Sequence, residues 1–205
     1  MPGSRFSFST VRGCRNAALA AHAAVALACA SGSAPPAAAG TASGAASEGL
    51  ERYLPLPHDT VYVYDTLTET GDAGVLIMRV RRTRPGVAEL GVAGRARRLE
   101  LSADAIAHAT GGYLLKAPLE LGRQYQGSSG TVRITAVDRA IQVPAGSFLG
   151  CLETVEQSPS PPRSITTIFC PHVGIVQLDV SAEVEGELSQ ETATLKSFGP
   201  AVNLE

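Results

Sequence analysis

The chain has 205 residues, of which 44% are hydrophobic, 18% charged and 5% aromatic, with no Trp and two Met. Its 17 basic and 19 acidic side chains give a formal net charge of −2. This length supports one ordinary domain or two very small ones, and the composition excludes a collagen-like chain, a disulfide-dense miniprotein, a coiled coil and a generic polybasic nucleic-acid binder.

The first 28 residues are predicted to be a secretory signal peptide. Three arginines precede an apolar run from Ala17 to Ala28, and no Asp or Glu occurs before Glu48. A positive start, a short apolar run and small residues behind it are typical of such a signal. Because a bilayer core requires about 20 apolar residues, this run is too short to span it.

The end of the signal predicts a lipid anchor. Residues 25–29, Val-Ala-Leu-Ala-Cys, resemble a bacterial lipobox, in which the cysteine, here Cys29, is diacylated and becomes the mature N-terminus. Residues 29–48 are rich in Ala, Gly, Ser and Pro and are predicted to be a disordered tether. The alternative is a plain secretory signal that is cut after Ala39.

The predicted anchor also implies a location. An acyl glyceride gives durable membrane binding, and by the sorting rule for such lipoproteins Ala30 after the cysteine points to the outer membrane, with the domain facing the periplasm. A soluble periplasmic or secreted protein is the alternative. Three arginines leave with the signal, so the mature chain carries 17 − 3 = 14 basic and 19 acidic groups, a formal net charge of −5.

Residues 49–199 are predicted to form one antiparallel all-β domain, followed by a short tail at 200–205. Short runs rich in β-branched residues alternate with turn residues, as in a β-sandwich or an open, half-closed β-barrel. The absence of long helices between strands argues against a Rossmann-like or TIM-barrel enzyme. A helical turn is predicted only at Ser102 to His108, where a strand fits equally well. The predicted strands are 61–64, 75–80, 87–93, 97–101, 113–115, 131–137, 140–143, 148–157, 165–170, 174–180 and 187–198.

Two cysteines flank a predicted hairpin. Folding the chain about its Pro-rich loop at 157–163 pairs Cys151 with Cys170 and Thr154 with Thr167. Cross-strand Cβ atoms lie about 4.5–5.5 Å apart, which is close to the separation in a disulfide. In an oxidising compartment the pair therefore predicts a disulfide, and two reduced, buried cysteines are the alternative.

Arginine is concentrated in one part of the predicted domain. Two interpretations fit this cluster: a solvated strand surface in an Arg-preferring protein, or a site for an anion such as a phosphate, a lipid headgroup or an acidic partner. The segment from Leu152 to the end carries eight acids and two bases. A nucleic-acid partner is not expected for an exported chain of net charge −5. The seven arginines of the possible anion site are Arg79, Arg81, Arg82, Arg84, Arg95, Arg97 and Arg98.

The sequence contains no motif that predicts catalysis. It lacks the G-x-S-x-G, P-loop, H-E-x-x-H and S-x-x-K patterns. Cys170 and His172 are two residues apart, but a closed metal site needs about four ligands, and no third group is placed to orient a Cys–His pair for nucleophilic attack. We therefore predict no catalytic residue, no metal ligand and no cofactor.

Several local motifs together resemble a known group of proteins. They are Tyr53-Leu54-Pro55-Leu56, Pro118-Leu119-Glu120-Leu121-Gly122, the run 143–152 with Val-Pro-Ala-Gly-Ser-Phe and Cys-Leu, and the run 171–176. Their order is similar to that in a widespread family of bacterial exported proteins and lipoproteins of unknown function. The resemblance covers about residues 54–180, and His172 stands where the family usually has Gly. It implies an all-β single domain and transfers no functional residue.

Two functions are compatible with these features. One is a non-enzymatic envelope lipoprotein that binds an apolar or amphiphilic ligand and resembles, in outline, the carrier and receptor proteins of lipoprotein sorting. The other is a structural or assembly partner that docks on another envelope protein. A deep apolar cavity in the domain would favour the first function, and a filled core with a flat surface would favour the second. An enzyme is the least favoured interpretation.

Overall fold

A computed structural model describes residues 45–184 and 186–202. Most of them lie in β-strands and only one α-helix is found among them, which confirms the predicted all-β domain. The predicted signal peptide, Cys29 and the tether up to residue 44 lie outside the described residues. The elements are helix α1 (Ala45–Tyr53) and strands β1 (Thr60–Thr68), β2 (Ala73–Arg84), β3 (Val87–Val92), β4 (Arg95–Leu101), β5 (Ala105–His108), β6 (Tyr113–Lys116), β7 (Gln124–Gln126), β8 (Thr131–Val143), β9 (Gly146–Pro159), β10 (Pro162–Cys170), β11 (Gly174–Val184) and β12 (Glu187–Pro200).

The strands form one antiparallel sheet that curls into a nearly closed barrel. Its order is β6-β5-β4-β3-β2-β1-β12-β11-β10-β9-β8-β7, so the first and last strands of the chain pair in the middle. The two edge strands, β6 and β7, meet through side chains: the Tyr125 hydroxyl donates to the Leu114 carbonyl at 3.2 Å. The rings of Tyr113 and Tyr125 also pack edge to face. Of the two architectures that the sequence left open, the barrel is the one found.

Alternation along the strands separates an inner from an outer face. On β8, Val132 and Ile134 are buried while Thr131, Arg133 and Thr135 are exposed. The pattern arises because successive side chains of a strand point to opposite faces of the sheet. The inward-pointing residues of the two halves of the sheet therefore share one interior.

The barrel has two different ends. The turns β1–β2, β3–β4, β5–β6, β7–β8, β9–β10 and β11–β12 all lie at one end, which we call the turn end, because every connection in an up-and-down sheet reverses the chain direction. The opposite end is covered by α1 and residues 54–59, and we call it the plugged end. Within the covering segment Leu50, Leu54 and Leu56 are at most 1% exposed.

Backbone groups tie the covering segment to the barrel. The Arg82 guanidinium donates to the Leu56 carbonyl at 2.9 Å and to the Pro55 carbonyl at 2.8 Å. The His172 N–H donates to the Arg52 carbonyl at 2.6 Å. His172 has a φ of 64°, in the left-handed region that favours glycine.

Helix α1 was not predicted from the sequence. It begins at Ala45 and ends at Tyr53. Leu50 and Leu54 lie four positions apart, and burial of both side chains stabilises the segment. At Ser102 to His108, where a helical turn and a strand fitted the sequence equally well, the strand is found: Ser102 Oγ accepts the Ala105 N–H at 3.1 Å in a tight turn, and the chain continues as β5.

The hairpin of β9 and β10 has the predicted register. Thr154 lies opposite Thr167, and Cys151 and Cys170 form a disulfide. Both half-cystines are fully buried near the plugged end. The prediction of this disulfide is confirmed.

Candidate functional site

The barrel encloses a cavity of about 240 Å³. Ten strands, β1–β6 and β9–β12, contribute to its walls, and most of the lining side chains are apolar. The interior of a β-barrel widens as the number of strands increases, so space remains above the packed core at the plugged end. The apolar lining consists of Leu76, Met78, Leu90, Val92, Leu114, Ile165, Ile175, Leu178, Val180 and Ala193.

Polar side chains line the cavity mainly at the turn end. Arg97 is near the start of β4, His108 ends β5, Ser128 lies in the β7–β8 turn, Glu156 is near the end of β9 and Arg163 near the start of β10. The cavity is therefore apolar along its walls and polar at its mouth. An amphiphilic molecule, with an apolar chain and a polar head, matches this arrangement.

Glu156 is held in place by the β7–β8 turn. Its Oε1 accepts the N–H groups of Ser129 at 2.6 Å and Gly130 at 3.0 Å. A side chain at Gly130 would overlap the backbone of the facing strand, where the Ser158 Cα lies 2.9 Å from an ideal Cβ. The glycine thus allows the turn to approach β9 closely enough to bind the carboxylate.

His108 is half-buried beside this group. Burial lowers its pKa from the usual 6.5, the nearby Arg97 charge lowers it further, and Glu156 partly opposes both effects. Burial and the Arg97 charge therefore favour the neutral form of the imidazole. The positive charge at the mouth comes from Arg97 and Arg163.

The seven arginines of the predicted anion site are spread over both faces of the sheet. Arg81 binds Glu89, with the shorter N–O distance 2.6 Å, and Arg98 lies 3.8 Å from the Glu100 carboxylate. Arg82 is inside the plugged end, as described above. Only one of the seven, Arg97, lines the cavity, and the exposed remainder are Arg79, Arg84 and Arg95.

The second arginine of the mouth, Arg163, was not among the predicted site residues. Arg163 follows the Pro-rich turn at the start of β10 and lines the cavity with Arg97. Its signal was present: apart from Lys196, it is the only basic residue after Leu152. Its position opposite the Arg-rich hairpin depends on curling of the sheet, which local sequence does not reveal.

A second, wider depression adjoins the mouth. It has a volume of about 780 Å³ and lies at the turn end among strands β8–β12. Arg163 lines both this depression and the cavity, so the two spaces meet at its side chain. The remaining lining includes Gln157, Ser158, Ser164 and Glu183 and is more polar than the cavity.

Within residues 45–184 and 186–202, no cluster of three or more His, Cys, Asp or Glu side chains is arranged to hold a metal ion. No helix of the described chain combines the length and apolar character needed to cross a bilayer.

No protein-family model and no curated protein matches this sequence. Several solved structures are similar to the chain, among them two bacterial proteins. One, from Bacteroides fragilis, is described as a "putative exported protein" with a YmcC-like fold, is 14% identical and has a TM-score of 0.44. The other, a "putative lipoprotein" from Parabacteroides distasonis, is 13% identical with a TM-score of 0.41. Each alignment covers 70% of this chain and 96% of the other. No residue role is transferred from either protein.

Proposed function

We propose that this protein is a non-enzymatic binding protein that holds an apolar or amphiphilic ligand inside its barrel. The observation that supports the proposal is the 240 Å³ cavity with apolar walls and a polar mouth. Moving apolar surface from water into such a space is favourable by about 25 cal/mol per Å². Polar groups at the mouth orient the ligand without being buried unpaired.

The volume of the cavity limits the size of its ligand. A cavity of about 150 Å³ accommodates a benzene-sized molecule. The 240 Å³ found here therefore suits a single short chain and is too small for both chains of a phospholipid. A docking protein with a filled core, the alternative function, would not need this space.

We further propose that the domain works in the cell envelope, anchored through Cys29 to the outer membrane. The lipobox-like sequence supports the anchor, and the buried Cys151–Cys170 disulfide supports an oxidising compartment. A tethered binding domain of this kind would receive its ligand from the aqueous side and remain close to the membrane.

Binding can be tested by filling the cavity. Ala193 is 5% exposed and lines the wall on β12, and Val92 lines it on β3. We expect the purified wild-type domain to bind a neutral naphthylamine dye that fluoresces in apolar surroundings. Ala193→Leu and Val92→Phe should each weaken dye binding by about tenfold, at a cost in stability of about 1–3 kcal/mol.

The matched control is Ala140→Leu, which adds the same carbons at an exposed position of β8. It should bind the dye as the wild type does. The proposal fails if the wild type binds no dye, or if the control variant loses as much affinity as Ala193→Leu. Thermal melting of all four proteins separates a filled cavity from a damaged fold.

A further inference from the structure

We infer that the ligand carries an anionic head group, which Arg97 and Arg163 bind at the mouth while its single apolar chain occupies the cavity. This inference rests on the proposed function and defines the class of ligand. The two arginines come from opposite parts of the chain, β4 and β10, and line the same cavity.

Arg97 and Arg163 are the arginines that line the cavity among the described residues. Arg81, Arg98 and Arg139 are paired with Glu89, Glu100 and Glu153, whereas other exposed arginines, such as Arg79 and Arg133, have no such pair in the described part of the chain but lie away from the cavity. Among the described side chains, no carboxylate lies within 4 Å of Arg97 or Arg163. These two guanidinium groups are available to bind an anion that enters the mouth.

Glu156 is the acid that lines the cavity among the described residues. Glu156 would compete for the arginines, but its Oε1 already accepts two backbone N–H groups from the β7–β8 turn. Charge-assisted hydrogen bonds of this type are about twice as strong as neutral ones. The turn therefore holds the carboxylate of Glu156, and among the described side chains that line the cavity two guanidinium groups face this single carboxylate.

Solvent reaches both arginines of the mouth. Arg97 and Arg163 are exposed, so a head group bound between them remains in contact with water. A carboxylate or phosphate would keep much of its hydration there and avoid the large cost of burying a charge. Its alkyl chain would contact Leu90, Val92 and Ile165 below.

Guanidinium geometry suits two head groups equally well. Arginine donates in parallel to the oxygens of a carboxylate or of a phosphate. The shared chemistry is an anionic oxygen head on one apolar chain, and it can come from a fatty acid or from a monoalkyl phosphate. Measuring the binding of one fatty acid and one alkyl phosphate distinguishes the two.

The test measures displacement of the neutral dye by four ligands with the same alkyl chain. They are decanoate, decyl phosphate, decanol and decyltrimethylammonium, each used below its micelle-forming concentration. We expect decanoate, decyl phosphate or both to bind at least about tenfold more tightly than decanol and the cationic surfactant. Preference for decanoate identifies a fatty acid as the source, and preference for decyl phosphate identifies an alkyl phosphate.

The variants separate head-group recognition from chain binding. The double variant Arg97→Gln/Arg163→Gln should lose this preference and keep the wild-type affinity for decanol. The control Arg79→Gln/Arg133→Gln removes two positive charges from exposed strand positions and should retain the preference. Because Gln keeps a polar, flexible side chain at exposed sites, all variants are expected to fold.

The outcomes distinguish this inference from the proposed function. If the dye and decanol bind but the anionic ligands are not preferred, the cavity binds a neutral ligand and the inference is wrong. The same conclusion follows if the control double variant loses the preference to the same extent. If the wild type binds neither the dye nor any of the four alkyl ligands, the proposed function itself is wrong.

Discussion

The two ends of the barrel use arginine in opposite ways. At the plugged end Arg82 donates to the carbonyls of Pro55 and Leu56 and so fastens the segment that follows α1. At the turn end Arg97 and Arg163 line the cavity without a carboxylate partner among the described residues. The first arrangement stabilises the fold, and the second is suited to a ligand.

The difference arises from what each end must cover. The irregular covering segment has backbone carbonyls that need donors when they are buried, and at the plugged end Arg82 supplies them to Pro55 and Leu56. At the turn end the connections are tight hairpins that satisfy their own backbone groups, as in the Gly127–Gly130 hydrogen bond of 2.7 Å. The arginine side chains there have no such structural task.

The largest expected effect concerns the disulfide near the plugged end. Cys151 and Cys170 are 19 positions apart, and in the chain-entropy model closing such a loop stabilises the fold by about 3 kcal/mol. Reduction, or the double variant Cys151→Ala/Cys170→Ala, should lower the melting temperature by about 10 °C. Calorimetry with and without reductant measures this change.

The same experiment can test whether the two ends are independent. Reduction should speed hydrogen exchange at the His172 amide, which binds the Arg52 carbonyl beside Cys170. Dye affinity at temperatures well below melting should stay unchanged. Equal melting temperatures of the oxidised and reduced proteins would contradict the stabilising role of the bond.

A smaller effect is expected when the plug is loosened. Arg82→Met removes a charged donor from two carbonyls and should cost about 2 kcal/mol, or about 4–8 °C in melting temperature. Arg84→Met, two residues along the strand at an exposed position, is the control and should melt within about 1 °C of the wild type. If the two variants melt alike, Arg82 does not fasten the plug.

Local sequence was sufficient to predict one hairpin in detail. The Pro-rich turn set the midpoint, and the period of two along a strand then set which residues face each other. The register Thr154–Thr167 and the Cys151–Cys170 disulfide followed from these two facts and are confirmed. Both depend on residues close together in the chain.

Features that depend on distant pairing were not predicted. The pairing of β1 with β12, with Tyr62 opposite Phe198, joins the two halves of the sheet. It connects strands from the two ends of the domain sequence, so no local sequence pattern indicates it. Without it, Arg97 and Arg163 could not be placed at one opening. Helix α1 was missed because alanine-rich sequence is typical of a tether, and burial of Leu50 against the barrel decides its structure.

The smallest expected effect is the response of the turn end to pH. Burial and the Arg97 charge lower the pKa of His108 in the folded protein below the usual 6.5. The unfolded chain therefore binds more protons there as the pH falls through 6.5, and the folded state loses stability until the pH passes the lower, folded-state pKa. His108→Gln removes this loss. The melting temperature of the variant, relative to that of the wild type, should therefore increase as the pH falls from 7.5 to 5.5. Arg97→Gln removes one cause of the lowered pKa and should reduce the wild-type loss only in part. Melting curves of the three proteins at several pH values test this prediction. A difference in melting temperature between His108→Gln and the wild type that stays constant with pH would contradict the burial of this imidazole at the mouth.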